Sequence, residues 1–241
     1  MSEFDEACEL IAYAKTELTV IETHYRESLD EKSIKPGLLI DIKNYLENLR
    51  SALDFAARGL YSKYGVSSKS NSHIYFPYAS KQQTMDGFRA ANRIEQCIPG
   101  LGASRPDLVA VLESMQHWNS DYFWLPDFME LNNENKHERL TPQIRKESKE
   151  LRISSGRASI RLGEGASIRM GPGASIRMGD SIIPGGQTID VNNPPTVLGG
   201  GHSEIITWVS FSFSTNARAV MPFLLTVLGG VKRIVDDLAS R

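Results

Sequence analysis

The chain has 241 residues, 41% of them hydrophobic, and a formal net charge of −2 at pH 7. That is enough apolar material for one large core or two small ones, and so slight a charge argues neither for nor against nucleic acid. Two cysteines, Cys8 and Cys97, exclude a disulfide framework. The acidic start, MSEFDEACEL, lacks the basic-then-apolar order of a secretory signal. The longest uncharged apolar stretch, 219–231, holds 13 residues, where a membrane span needs about 20. A soluble, cytoplasmic protein is expected, with that stretch as a core helix.

Taken in order, residues 3–30 predict a long helix. Phe4, Cys8, Ile11, Leu18, Ile21, Tyr25 and Leu29 recur at near-heptad spacing, and Ser2 with Asp5 reads as a start signal. Cys8 falls on that stripe, so a buried thiol is expected. A second helix is predicted over 36–65. Leu38, Ile42, Tyr45, Leu46, Leu49, Leu53, Ala56 and Leu60 line one side of it. Pro36 suits its first position and Gly65 a left-handed stop. The two helices should pair antiparallel. Neither buries its stripe alone, so later helices or a second copy must cover them, and a homodimer is expected.

Beyond a polar loop (66–73), Ile74-Tyr75-Phe76-Pro77-Tyr78 should be extended, because proline disfavours helix at the residue before it. Short helices are predicted near 84–96 and 106–117, and another over 127–146. Composition changes near Leu151. From Arg157 an octapeptide recurs as RASIRLGE, GASIRMGP and GASIRMGD. Alternation puts Ala166, Ile168 and Met170 on one face and Ser167 and Arg169 on the other. Five-residue strands joined by three-residue turns predict an antiparallel meander; a stacked coil of eight-residue rungs is the alternative. In the meander Arg161, Arg169 and Arg177 share the polar face. A strand over 205–213 and a helix over 222–238, returning to the helical part, close the chain. The expected class is α+β: a helical bundle over 1–150, a β-rich segment over 151–214, and a C-terminal helix over 215–241.

Three groups of residues could carry chemistry. Glu47, Arg50, Asp54 and Arg58 follow steps of three and four, which surface ion pairs along a helix also explain. Asn135, Lys136, His137 and Arg139 gather cations around a histidine able to move protons near neutral pH. A lone histidine without matched Cys, His or carboxylate spacing is poor metal evidence, and neither a metal nor a cofactor is expected. Residues 151–180 hold five arginines against Glu164 and Asp180, a net of +3. Such a basic strand face could meet nucleic acid or an acidic protein, or simply discourage aggregation at a sheet edge.

Leu49-Arg50-Ser51-Ala52-Leu53-Asp54, Phe76-Pro77 and Asn135-Lys136-His137 together resemble a family of bacterial proteins without assigned function. Its members carry an LRSALDH…FP…DKHR pattern, a β-rich segment and a closing helix. That family is in turn loosely similar to HEPN domains, helical modules of ribonucleases and of defence or toxin–antitoxin systems. Their signature is an arginine, four to six intervening residues, then a histidine, built at a dimer interface. The resemblance puts the arginine at Arg50, but Phe55 stands where the histidine belongs. Asn135 replaces the aspartate, and Arg139 falls one place late, after Glu138.

Two readings follow. One is a non-catalytic binding or assembly protein with a HEPN-like core and an arginine face for an anionic partner. The other is a HEPN-related ribonuclease or nucleotide-processing enzyme. In that enzyme Arg50 would hold the scissile phosphate beside Asp54, His137 would replace the missing base, and Lys136 and Arg139 would stabilise charge.

Overall fold

The computed structural model describes residues 1–30, 34–66, 74–137, 140 and 143–241. The fold is α+β, in two compact units: one joins Met1–Ile144 to Ser212–Arg241, and the other is Arg145–Phe211.

The first unit is built on α1 (Glu3–Asp30) and α2 (Pro36–Tyr64). A reciprocal cap starts α1: the Ser2 N–H donates to Asp5 and the Asp5 N–H donates back to the Ser2 hydroxyl, at 2.8 and 3.2 Å. The buried positions of α1 are Phe4, Ala7, Ile11, Ala14, Leu18, Ile21 and Ser28. With half-buried Tyr25 they form an unbroken three–four repeat. Three small residues sit in this seam, so it is displaced from the bulky residues alone, and Cys8, expected inside, is exposed.

On α2 the expected stripe is buried throughout, with Leu46, Leu49 and Leu53 fully out of water. Gly65 is not left-handed: its φ is −72°. A side chain there would meet the Tyr61 ring at 2.2 Å, so close approach, not backbone freedom, calls for glycine. The seam also holds polar pairs. Asn48 donates to Glu17 at 2.8 Å, and His24 lies 2.6 Å from Asp41. Burial raises the Glu17 pKa, and Asp41 adds to this, against the Asn48 hydrogen bond.

The cover for both stripes comes from the same chain. The closing helix, α8, packs on α1 and α2 as expected, and the buried Tyr45 hydroxyl donates to the Leu224 carbonyl at 2.8 Å. Between α2 and α8 in sequence come α3 (Met85–Ala90), α4 (Arg93–Cys97), α5 (Leu101–Ser104), α6 (Pro106–Ser114) and α7 (Leu125–His137). The helix expected over 84–96 is split between α3 and α4 by Asn92, which is left-handed at φ 48°. Of the helix expected over 127–146, the described part is α7, to His137, and Gln143 already begins a strand. α8 itself spans Val220–Ala239.

The strands are β1 (Gln143–Ser155), β2 (Ala158–Gly163), β3 (Ile168–Arg169), β4 (Ser175–Met178), β5 (Ser181–Pro184), β6 (Thr188–Ile189) and β7 (His202–Phe213), all in the second unit but for the first two residues of β1 and the last two of β7. Neither the expected meander nor the rung coil is formed, because the repeats do not pair with one another. The first pairs with β1 in a sheet ordered β2-β1-β7. The second and third lie in tandem along one arm of an interrupted hairpin, β3 against β6 and β4 against β5. Gly179, at φ 58°, opens its two-residue turn, the place a type II′ turn reserves for glycine. A tight turn, Ala174 N–H to Gly171 O, bulges from the arm opposite Gly185, where a side chain would strike the Ala174 carbonyl at 2.3 Å. The expected alternation does hold. Met170 and Met178 join Leu151, Ile153, Ile183, Ile189 and Val191 in a core flanked by Ile160, Ile168 and Ile176.

Two substitutions on α8 test this packing. A Cβ on Gly230 would lie 2.2 Å from the Trp124 indole, whereas nothing lies within 4 Å of one on Gly229. Gly230→Ala should cost about 1–3 kcal/mol in urea unfolding, and Gly229→Ala should gain about 0.5–1 kcal/mol from helix propensity. A second test reads pH. With its folded pKa raised, Glu17 stabilises least when ionised, and stability falls as pH climbs above the ordinary carboxylate range. Glu17→Gln should therefore raise the unfolding midpoint at pH 7 relative to the parent, the gain vanishing near pH 4.

Candidate functional site

The structure brings together the first two motifs of the resemblance. Arg50 donates from Nε to Asp54 at 3.2 Å, its guanidinium lies 5.3 Å from the Tyr78 ring centre, and Nη1 touches the Met129 sulfur. The side chains of Arg50 and Asp54 are 12% and 22% exposed, so this is no surface pair of the kind the spacing alone suggests. The other Asp54 oxygen accepts the Phe76 N–H at 2.8 Å. Buried Gln116 completes the task, accepting the Ala79 N–H at 2.9 Å and donating to the Pro77 carbonyl at 3.1 Å. The extended segment Ile74–Ala79 is thus held by side chains from α2 and from just beyond α6, which replace a strand's ladder. Beside it a depression of about 150 Å³ is lined by Ser51, Asp54, Phe55, Arg58, Ile74 and Tyr75. Phe55, at the expected histidine position, supplies it with a ring and no proton.

Of the remaining candidates, Arg139 and the side chains of Asn135, Lys136 and His137 lie outside the described residues. An approach of Arg50 to His137 is therefore not part of the described geometry. Arg161, Arg169 and Arg177 are exposed on β2, β3 and β4, directed away from the core side. Arg161 is 3.8 Å from Glu150 yet 60% exposed. Among the described residues, Arg169 and Arg177 make no ion pair.

A second constellation has no counterpart in the sequence reading. Asp127, in the first turn of α7, is only 5% exposed. Lys81 reaches one of its oxygens at 2.6 Å and Arg218 the other at 2.5 Å, and Lys81 also pairs with Glu130. Partial burial works against the Lys81 charge, but hydrogen bonds to Asp127 and Glu130 prevail and hold its pKa above the usual lysine value. The Arg218 guanidinium lies 5.0 Å from the centre of the half-exposed Phe123 ring.

Two adjoining cavities open on this cluster. One, of about 340 Å³, is lined by Lys81, His117, Phe123, Pro126, Asp127, Asn216 and Arg218. The other, of about 510 Å³, shares Lys81 and Pro126 and adds Glu130, Asn133, Glu134 and Thr215 among others. Two buried polar atoms on the smaller cavity, His117 Nδ1 and Asn216 Nδ2, have no hydrogen-bond partner among the described residues. The Asn216 oxygen accepts the Arg218 N–H at 3.1 Å, which leaves its amide nitrogen over. Each unmet group costs about 1–3 kcal/mol, which marks this cavity out. Asp127 in a first helical turn is a recognisable pattern, but Lys81 and Arg218 come from loops whose convergence no local pattern announces.

Among the described residues, no group of three or more His, Cys, Asp or Glu could hold a metal ion, and no helix is long and apolar enough to cross a membrane. Comparison of the chain with family models, with curated proteins and with solved structures finds no match.

Asp54→Ala leaves both the Phe76 N–H and Arg50 without their partner. It should lower unfolding free energy by about 2–3 kcal/mol, measured by chemical denaturation, whereas truncating exposed Arg177 should change it by less than about 0.5 kcal/mol.

Proposed function

We propose that the protein is a non-catalytic binding or assembly protein whose β unit docks an anionic partner, nucleic acid above all. The observation that carries this reading is the outward row of the repeats. Arg169 and Arg177 stand exposed and without ion pairs among the described residues, on strands whose opposite side is core. Residues 145–211 hold eight Lys and Arg against six Asp and Glu, a net of +2, so the rest of the chain carries −4. A basic unit on an acidic protein suits phosphate contacts, which need charge and reach more than a shaped pocket.

On this reading the helical unit is HEPN-like and pairs with a second copy in the bacterial cytoplasm. Tyr13 and Val20, one heptad apart on α1, and Ile40 on α2 are exposed apolar residues that suit such a contact. Two observations weigh against the enzymatic alternative: Arg50 is engaged by Asp54, Tyr78 and Met129, and Phe55 cannot act as a base.

The test is fluorescence anisotropy with a labelled single-stranded RNA and, separately, with polyglutamate as competitor. Reversing Arg161, Arg169 and Arg177 together to Glu should weaken RNA binding by at least about tenfold and flatten its salt dependence by up to about 3 in log–log slope. If the triple variant binds RNA and every co-purifying partner as the parent does, the reading falls.

A further inference from the structure

The smaller cavity beside Asp127 has a second neighbour, of a different kind. A cavity of about 390 Å³ shares Phe123, Asn216 and Arg218 with it and is otherwise walled mainly from α8, by Ala219, Pro222, Phe223 and Thr226. No carboxylate lines this space, and none stands in the first turn of α8. The Thr226 hydroxyl donates to the Pro222 carbonyl at 2.9 Å, which leaves that side apolar in effect. The polar capacity left on the shared wall is of one sense. Lys81 is spent on Asp127 and Glu130, and Asp127 on Lys81 and Arg218. Arg218, however, gives Asp127 only its Nε; its outer nitrogens make no hydrogen bond among the described residues, and its side chain is 36% exposed. The Asn216 oxygen accepts the Arg218 N–H, and its Nδ2 has no partner among the described residues. Both groups left over are donors only. Ala217 between them is left-handed at φ 57°, a strained setting for a residue with a side chain, and it keeps the two donors on one wall.

We propose that this double cavity binds a small monocarboxylic acid with an apolar body. The carboxylate lies on the outer nitrogens of Arg218 beside Asn216, so that Arg218 bridges it to Asp127. A planar guanidinium fork matches the two oxygens of a carboxylate. One negative charge suits a site whose guanidinium is already half engaged; a phosphate dianion would sit near Asp127 with no uncommitted second cation among the described residues to balance it. The apolar body enters the 390 Å³ cavity, between the half-exposed Phe123 ring and Pro222 at the start of α8. That volume lies in the range of cavities that receive small molecules. The site shares no residue with the arginine strands and goes beyond the role proposed for them.

Calorimetric titration of the full chain with naphthoate, its neutral amide and acetate tests the assignment. Naphthoate should bind. The amide should bind about tenfold more weakly, the value of a charge-assisted hydrogen bond. Acetate, with no body to bury, should be weaker by at least about tenfold. Thr226→Trp, at an exposed position on α8, fills the apolar cavity and should abolish naphthoate binding. Arg218→Lys keeps a cation for Asp127 but removes the fork, and should weaken naphthoate by about tenfold. Thermal unfolding midpoints equal to the parent's separate these losses from misfolding, and Thr226→Trp, away from the ion pair, decides the matter if Arg218→Lys lowers the midpoint. No heat at millimolar naphthoate, an amide or acetate that binds as tightly as naphthoate, or an unchanged affinity in Thr226→Trp each overturns the proposal. RNA affinity unchanged by Thr226→Trp keeps this result separate from the fate of the arginine strands.

Discussion

Leu46, Leu49 and Leu53 have no contact with solvent, and the helical unit is arranged around that fact. Each buried leucine contributes about 1.5–3 kcal/mol relative to exposure, and no isolated pair of helices could enclose three of them along with Tyr45. The α1 seam, with alanines at two of its positions, lets α2 approach closely enough to exclude water from one side. α8 then closes the other side, and the Tyr45 hydroxyl meets the Leu224 carbonyl there because a buried phenol needs an acceptor. Gly230 lets the same helix lie against Trp124 just before α7. Packing of one long helix thus fixes where the beginnings and ends of the later elements fall.

Once the helices are placed, irregular segments must satisfy their own backbone. Among the described residues no strand lies beside Ile74–Ala79, and side chains do the work: Asp54 for Phe76, Gln116 for Pro77 and Ala79. This gives Arg50 a physical role that needs no substrate. Asp54 accepts from the Phe76 N–H, and Arg50 neutralises it while stacking on Tyr78, two residues further along the same segment. An arginine and an aspartate one turn apart, followed by an aromatic-proline step, is therefore the sequence trace of a strap tied to a helix. The same chemistry recurs at Asp127, where the carboxylate is more deeply buried and takes two cations, from loops far apart in the chain.

These cases show which parts were legible from the residues. The long helices were, because eight apolar residues at helical spacing on α2 leave few alternatives, and every one of them is buried. The seam of α1 was misread where it uses alanine and serine: a pattern that weights bulk passes over Ala7, Ala14 and Ser28 and lands on Cys8. Arg50 and Asp54 were picked out, but their partners were not, since the Phe76 backbone N–H and the Met129 sulfur carry no signature. The Lys81–Asp127–Arg218 cluster left no trace at all in sequence spacing. Its members sit in two loops and a first helical turn, and only tertiary closure brings them within 3 Å of one another.

The octapeptides carry the sharpest lesson about local against global information. Three near-identical segments keep the same inside and outside, with Ile160, Ile168 and Ile176 toward the core and Arg161, Arg169 and Arg177 away from it. Side-chain alternation is a property of a single strand, so it survives whatever the strand pairs with. Pairing is a property of two strands, and here each repeat has a different partner: β1, β6 and β5. Turns decide the partner: Gly156-Arg157, where the first repeat begins, folds β2 back on β1. Gly179-Asp180 reverses the chain in two residues and forces β4 onto β5. Gly171-Pro172-Gly173 turns only locally, so the second repeat continues along the same arm to β6. Identical segments therefore end in different hydrogen-bonded settings while presenting the same arginine outward, a constancy that follows from alternation alone and leaves the turns free to set the shape.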